Sequence, residues 1–169
     1  YFTVGLVGYT NAGKSTLFNA LTSGGAWAHD QLFATLSTRI ERWELGGGTG
    51  VMLSDTVGFI RRLPHHLVAS FRSTLEETVH CQLLLILLDA SDPSAMSQLD
   101  TVEMTLKKIG AEHQPRLLLL NKIDKLEDPS DRLVWVSRCP DAIQISSVTN
   151  DGIDILSAEV RMVVIGPVR

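Results

Sequence analysis

The sequence predicts an α/β fold, a mostly parallel six-stranded sheet with one antiparallel edge strand and helices on both faces. Short apolar stretches recur along the chain with helix-periodic segments between them, the alternation that parallel strands and crossover helices impose. One pair of stretches is instead joined by Gly46, Gly47, Gly48, Thr49 and Gly50, a connection too short for a crossover and long enough for a hairpin. The 169 residues are 44% hydrophobic and 20% charged, about one domain's worth of chain with enough apolar material for a core, which excludes a largely disordered polymer.

Thr3 to Val7 is the first buried strand, and Lys14 to Leu21 the first helix. Arg39 to Leu45 and Val51 to Ser54 are the two arms of the hairpin. His66 to Val79 reads as a helix whose Leu67, Phe71, Leu75 and Val79 form one apolar stripe, with Arg72, Glu76 and Glu77 pointing elsewhere, as ordinary core packing requires. Leu83 to Leu88 is a central strand, ended by Asp92 and Pro93, which also start a helix from Ala95 to Ile109 that Gly110 closes. Strand Arg116 to Leu120, a weaker helix from Asp131 to Ser137, strand Ala142 to Ile145 and helix Ile153 to Val163 complete the order.

The longest apolar run, Leu83 to Leu88, is far short of the ~20 residues that cross a bilayer, and the amino end has no signal-peptide pattern, so a soluble protein is expected, with no membrane partner. Net charge −4 argues against a whole-domain positive field for nucleic acid, and no direct sequence-specific nucleic-acid binding is expected. Cys81 and Cys139, far apart and without CxxC spacing, fit a reducing compartment, and a cytoplasmic location is expected. The chain opens without Met directly on an apolar strand, as an excised domain of a longer protein would.

Gly8-Tyr9-Thr10-Asn11-Ala12-Gly13-Lys14-Ser15 fits the GxxxxGK[ST] phosphate loop, and it follows a strand and opens a helix as the mechanism requires. The glycines let successive backbone NH groups face phosphate oxygens, the helix amino end adds positive potential, Lys14 reaches the outer phosphates and Ser15 offers a hydroxyl to Mg²⁺. Asp55-Thr56-Val57-Gly58 follows the apolar Val51-Met52-Leu53, so Asp55 can hold Mg²⁺ through water and Gly58 can offer its NH to the terminal phosphate.

Asn121-Lys122-Ile123-Asp124 has the NKxD form. A carboxylate at Asp124 accepts from both N1–H and the 2-amino group of guanine, and adenine has no matching donors there. Asn121 would brace the loops and the Lys122 stem would cover the base plane, while Ser146-Ser147-Val148 stands where a backbone NH meets the guanine O6. Asp55 comes forty residues after Ser15, Asn121 sixty-six after Asp55 and Ser146 twenty-five after Asn121, and all four loops follow strand carboxyl ends, where an open α/β sheet places its ligand.

These residues resemble the GTPase domain of the HflX family, ribosome-associated GTPases of the broad Ras-like translation-factor class, from about Val4 to Gly152. The signatures are Val7 to Leu17, then Asp30-Gln31-Leu32-Phe33-Ala34-Thr35-Leu36, then Asp55-Thr56-Val57-Gly58-Phe59-Ile60, continued by Leu63-Pro64-His65 and Phe71 to Glu76. The segment around Phe33 singles out the family, because the phosphate loop and NKxD occur in every relative. The resemblance implies a Ras-like P-loop domain over residues 1–169, GTP hydrolysed to GDP and phosphate with Mg²⁺, the large ribosomal subunit as partner of the full-length protein, and a monomer; the family's amino-terminal ribosome-binding domain is absent from this chain.

It makes Thr35 the switch threonine that closes over Mg²⁺ and the terminal phosphate, so that Lys14, Thr35 and Gly58 are the candidate catalytic set and Ser15, Thr35 and Asp55 the metal set. Nucleotide contacts are implied for Gly8 to Thr16, for Phe33, Ala34 and Thr35, for Asp55, Thr56, Val57 and Gly58, for Asn121, Lys122 and Asp124, and for Ser146, Ser147 and Val148. Relatives with a typical last loop read Ser-Ala-Lys where this chain has Ser146-Ser147-Val148. Asn11 stands where potassium-activated relatives coordinate K⁺ beside the phosphates; it either does so here or only shapes the loop.

Phe59 occupies the place after Gly58 where many relatives carry a Gln that orients the attacking water, and a phenyl ring cannot do that. A slow intrinsic rate follows, and so does a second reading, a nucleotide-gated binding module whose GTP-bound surface does the work. A small-molecule kinase is weakened by the guanine-selecting NKxD and by the absence of an acceptor-substrate domain in this length. His65 and His66 diverge on a helix and have no third ligand at metal spacing, and Trp27, Trp43 and Trp135 are too scattered for a base-stacking platform.

Overall fold

The computed structural model describes residues 2–9, 11–22, 39–55 and 78–166. Six strands, β1 (Thr3–Gly8), β2 (Arg39–Gly46), β3 (Thr49–Asp55), β4 (Leu83–Asp89), β5 (Arg116–Asn121) and β6 (Ile143–Gln144), form one sheet in the order β2-β3-β1-β4-β5-β6. Only β2 runs antiparallel to its neighbour, so the predicted mixed sheet with one antiparallel edge is what the chain builds. The described helices are α1 (Lys14–Thr22), α2 (Ala95–Lys108), α3 (Pro129–Arg138) and α4 (Ile153–Ile165), with a 3₁₀ turn at Ile123–Lys125.

Side-chain alternation divides the core between the two faces. Leu83, Leu85 and Leu87 join Val4, Leu6, Phe18, Leu53, Leu156 and Val160 under α1 and α4. Leu84 and Ile86 instead meet Val102 and Leu106 of α2. A third cluster packs Leu88, Ala95, Leu120 and Ile123 against Trp135 of α3. With helices on both faces, β4 is buried at every position, which is why Leu83 to Leu88 read as an unbroken apolar run before the closing Asp89. The edge strand β2 buries only Trp43 and Leu45, both toward α1 and α4, and leaves its other positions exposed or half-buried.

The hairpin is tighter than its five-residue Gly-rich connection predicts. The ladder continues to Gly46 and resumes at Thr49, leaving a two-residue turn in which Gly47 (φ 63°) and Gly48 (φ 78°) both adopt the left-handed conformation that such turns demand. Two other boundaries also shift. Helix α3 starts at Pro129 rather than Asp131, because Asp128 accepts a hydrogen bond from the Ser130 backbone N at 2.9 Å and Pro129 suits the first helical position. Strand β6 is only two residues long; past it Ile145 N still donates to Leu120 O at 2.8 Å, while Ile145 O accepts from Ile123 N of the 3₁₀ turn at 3.3 Å. Of the helix predicted from His66 to Val79, only Thr78 and Val79 are among the described residues, and both are helical.

Gly110 closes α2 as predicted. It has φ 84°, its N donates to Lys107 O at 3.1 Å, and Ala111 N donates to Leu106 O at 2.8 Å, the paired bonds of a Schellman cap. A Cβ at this position would meet nothing within 4 Å, so replacement by Ala carries only the backbone penalty of the left-handed conformation. Gly110→Ala should therefore lower stability by about 1 kcal/mol, read as a lower urea midpoint at unchanged slope.

Candidate functional site

At the carboxyl end of β1 the chain order reverses, with β3 on one side and β4 on the other, and this switch point is where an open α/β sheet opens a crevice. The phosphate-loop residues occupy it. Gly8 lies so close to β4 that a Cβ would come within 2.8 Å of Leu87 O. Beyond it the loop turns through Ala12 N to Tyr9 O (3.1 Å), and Leu17 N bonds Gly13 O (2.9 Å) as α1 begins at Lys14. Ser15 and Thr16 follow in the first helical turn, both half-buried.

Lys14 and Asp55, forty-one residues apart, form a buried ion pair. Pairing of Leu6 with Asp55 across β1 and β3 brings the carboxylate to the phosphate loop. Burial holds the Lys14 ammonium below the usual lysine range, and the Asp55 charge opposes that shift. Ser15 and Asp55 are hard oxygen donors of the kind that suits Mg²⁺, so the described part of the predicted metal set fits the ion. Among the described residues there is no cluster of three or more His, Cys, Asp or Glu side chains.

The NKxD segment is joined to the phosphate loop by direct bonds. Asn121, buried at the end of β5, donates from Nδ2 to Ala12 O at 2.9 Å, while its Oδ1 accepts from Ser147 N at 3.1 Å and Ser147 Oγ at 3.0 Å. One side chain thus holds three loops, the bracing expected of it. Its amide also explains Gly13, whose φ is 94° and whose hypothetical Cβ would fall 2.4 Å from Asn121 Nδ2. Lys122 adopts the left-handed conformation (φ 64°) and donates from Nζ to Asn11 O at 2.6 Å.

Asp124 is exposed in the 3₁₀ turn, and its Oδ1 accepts from Ser146 Oγ at 2.8 Å. The Ser146 hydroxyl in turn accepts from Thr149 N at 3.1 Å. The backbone NH of Ser146 is bonded to Asp151 O (2.9 Å) and that of Ser147 to Asn121. Val148 follows as an exposed residue. Past it, Gly152 (φ 78°) passes so close to β6 that a Cβ would stand 2.2 Å from Gln144 O.

The structure therefore gathers Gly8, Tyr9, Asn11 to Thr16, Asp55, Asn121, Lys122, Asp124 and Ser146 to Val148 around one crevice. Thr10, Phe33, Ala34, Thr35, Thr56, Val57, Gly58 and Phe59, and the His65-His66 pair, lie outside the described residues. A cavity of about 410 Å³ beside Asp92, Trp135 and Arg138 includes none of the predicted site residues. Sequence reasoning missed two features. One is the pair of serine hydroxyls, which fold back to orient Asp124 and Asn121, whereas the sequence points only to a backbone contact. The other is Asp89, whose Oδ2 faces Lys122 Nζ at 3.4 Å. Its signal was available: an acid closing an apolar strand, as Asp55 closes β3.

Residues 3–122 match the family described as 50S ribosome-binding GTPase. The chain is 46% identical over 163 residues to the GTPase HflX of Magnetococcus marinus, an alignment covering 96% of this chain and 38% of that protein. It is 47% identical over 152 residues to the GTPase HflX of Escherichia coli, covering 89% of this chain and 36% of the relative. It thus spans little more than a third of the length of these curated relatives. Among solved structures, a GTP-binding protein from Sulfolobus solfataricus in complex with GDP superposes with a TM-score of 0.78 at 30% identity, over 95% of this chain and 51% of that one. With the phosphate loop, the buried Lys14–Asp55 pair and the braced NKxD at one crevice, the chain belongs to the 50S ribosome-binding GTPase family, as a P-loop G domain of the HflX kind.

Proposed function

We propose that residues 1–169 act as one monomeric, cytoplasmic G domain that binds GTP and GDP and hydrolyses GTP to GDP and phosphate with Mg²⁺, within a protein that works on the large ribosomal subunit. The observation that carries the nucleotide reading is the Asn121 brace, which ties Ala12 of the phosphate loop to Ser147 of the last loop while Ser146 aims Asp124. A guanine nucleotide would lie with its base edge on Asp124, its base plane against the Lys122 stem and its phosphates along Gly8 to Thr16. The NH groups of Ser146 and Ser147 are already bonded within the protein, which supports assigning the backbone NH of the exposed Val148 to the guanine O6. No described helix is long and apolar enough to cross a membrane.

In hydrolysis a water oxygen bonds to the terminal phosphorus as the bond to the β-phosphate oxygen breaks, and the water's proton passes to the released phosphate. Lys14 stabilises charge on the phosphate oxygens, with the Gly58 NH and Thr35 assigned to the terminal phosphate. When bound, Mg²⁺ supplies Lewis-acid charge to the same oxygens, held by Ser15, Asp55 and Thr35. The chain carries Phe59 in place of a water-orienting Gln. That favours, as a second reading, a nucleotide-gated module whose GTP-bound surface acts on a partner with negligible intrinsic hydrolysis.

Turnover measurements separate the two. The domain alone should hydrolyse GTP at or below about 10⁻⁴ per second, and full-length protein with large ribosomal subunits should be much faster. Unchanged turnover with subunits supports the module. A rate near one per second from the domain alone, well above this class's roughly 10⁻⁴ per second basal rate, overturns the role given to Phe59. Matched potassium and sodium buffers test Asn11 in the same assay: faster turnover in potassium supports a K⁺ beside the phosphates, and equal rates leave Asn11 as a loop-shaping residue.

A further inference from the structure

We propose that Asp89 is a positioning residue for the nucleotide base, acting through Lys122; the inference rests on the guanine-nucleotide reading above. Asp89 closes β4 directly beside Asn121, its register partner on β5, and Ala90 N donates to Asn121 O at 2.9 Å. Its two carboxylate oxygens face different ways. Oδ1 accepts from Ser91 N at 2.9 Å and Ser91 Oγ at 2.5 Å, which shapes the turn after β4. Oδ2 faces Lys122 Nζ at 3.4 Å. That ammonium also donates to Asn11 O, so Lys122 is held between a carboxylate and the phosphate-loop carbonyl, while its backbone is in the left-handed region.

A turn-shaping role needs only Oδ1. The second oxygen, on a residue only 8% exposed, does something else: it neutralises and aims the lysine whose stem would cover the base. An unheld lysine has many rotamers and must lose them when a base docks. One fixed in advance by Asp89 binds the base without that loss, and because it meets the π-face rather than the edge, it does so without reading which purine is present.

The variant Asp89→Asn keeps an oxygen for Ser91 and removes the charge. It should release GDP about five- to tenfold faster, the size expected for losing one partly exposed ionic contact and the order it imposes. Its melting temperature should stay near wild type, and its preference for GDP over inosine diphosphate, read at the base edge by Asp124, should not change. In a Lys122→Met background Asp89→Asn should have no further effect on GDP release. Wild-type release rates in Asp89→Asn overturn the proposal. So does a changed preference for GDP over inosine diphosphate, or an equal loss of binding and stability in both backgrounds, which makes Asp89 a structural residue only. Failure of the wild type to bind GDP overturns the functional reading itself, and is seen before any variant is compared.

Discussion

Asn121→Ala should weaken GDP binding by at least about a hundredfold and lower stability by about 2–4 kcal/mol, because it strips three hydrogen bonds from one buried point. The loss exceeds that of an average polar substitution for a definite reason. Ala12 O and Ser147 N, both on buried residues, lose the amide that pairs them, and each buried unpaired group costs roughly 1–3 kcal/mol. The partners belong to the phosphate loop and the last loop, so relaxation of either moves the residues assigned to phosphate and to base. Asn121→Asp provides the control: it keeps an acceptor for Ser147 but sets a carboxylate against Ala12 O, and should be as damaging as Ala. Urea unfolding and a GDP titration check both. GDP affinity within threefold of wild type would show that the loops hold their places without the brace.

Asp124→Asn should exchange base preference instead of merely weakening binding. Ser146 Oγ donates to Asp124 Oδ1, so an Asn at this position keeps the contact by turning its own Oδ1 to Ser146. Its NH₂ group then faces the C2 substituent of the base, where it repels the guanine 2-amino donor and matches the oxygen that xanthine carries in place of that group, N1–H being common to both bases. GDP should bind at least tenfold more weakly and xanthosine diphosphate more tightly than in wild type, since sites built around buried hydrogen bonds reject mismatched bases strongly. Asp124→Ala should lose GDP by a similar factor without gaining xanthosine diphosphate. Competition titrations with GDP, ADP and xanthosine diphosphate decide the matter, and equal wild-type affinity for ADP and GDP would remove Asp124 from the base site.

The strands and motifs were legible because their signals are local. A strand buried on both faces reads as an apolar run, and β4 is apolar from Leu83 to Leu88 before it closes on Asp89; a chain that curls around phosphate needs Gly8 and Gly13 at fixed spacing, and has them. Less legible were features set by partners far away in sequence. The two residues of β6 are a strand only because Leu119 and Leu120 lie beside them, and nothing in Ala142 to Ile145 indicates where pairing stops. Lys122 enters the left-handed region although β-type conformations suit lysine better, because the loop must turn between β5 and the 3₁₀ segment. The serine hydroxyls were overlooked since their acceptors, Asp124 and Asn121, stand twenty-two and twenty-six residues earlier. The Asp89–Lys122 contact escaped notice in the same way, spanning two neighbouring strands.

The fit between Gly13 and Asn121 restricts the order in which this site can change. A methyl group at position 13 would overlap the Asn121 amide at 2.4 Å, and the φ of 94° there strains an L side chain even where the amide is gone. Losing the amide first dismantles the brace, and the intermediate must survive with its loops untied. Neither substitution can lead. The two positions, 108 residues apart, are therefore restricted on unequal terms: Gly13 by the Asn121 amide and by its own left-handed φ, Asn121 by Ala12 and Ser147, so that removing the amide lifts only part of the restriction on position 13.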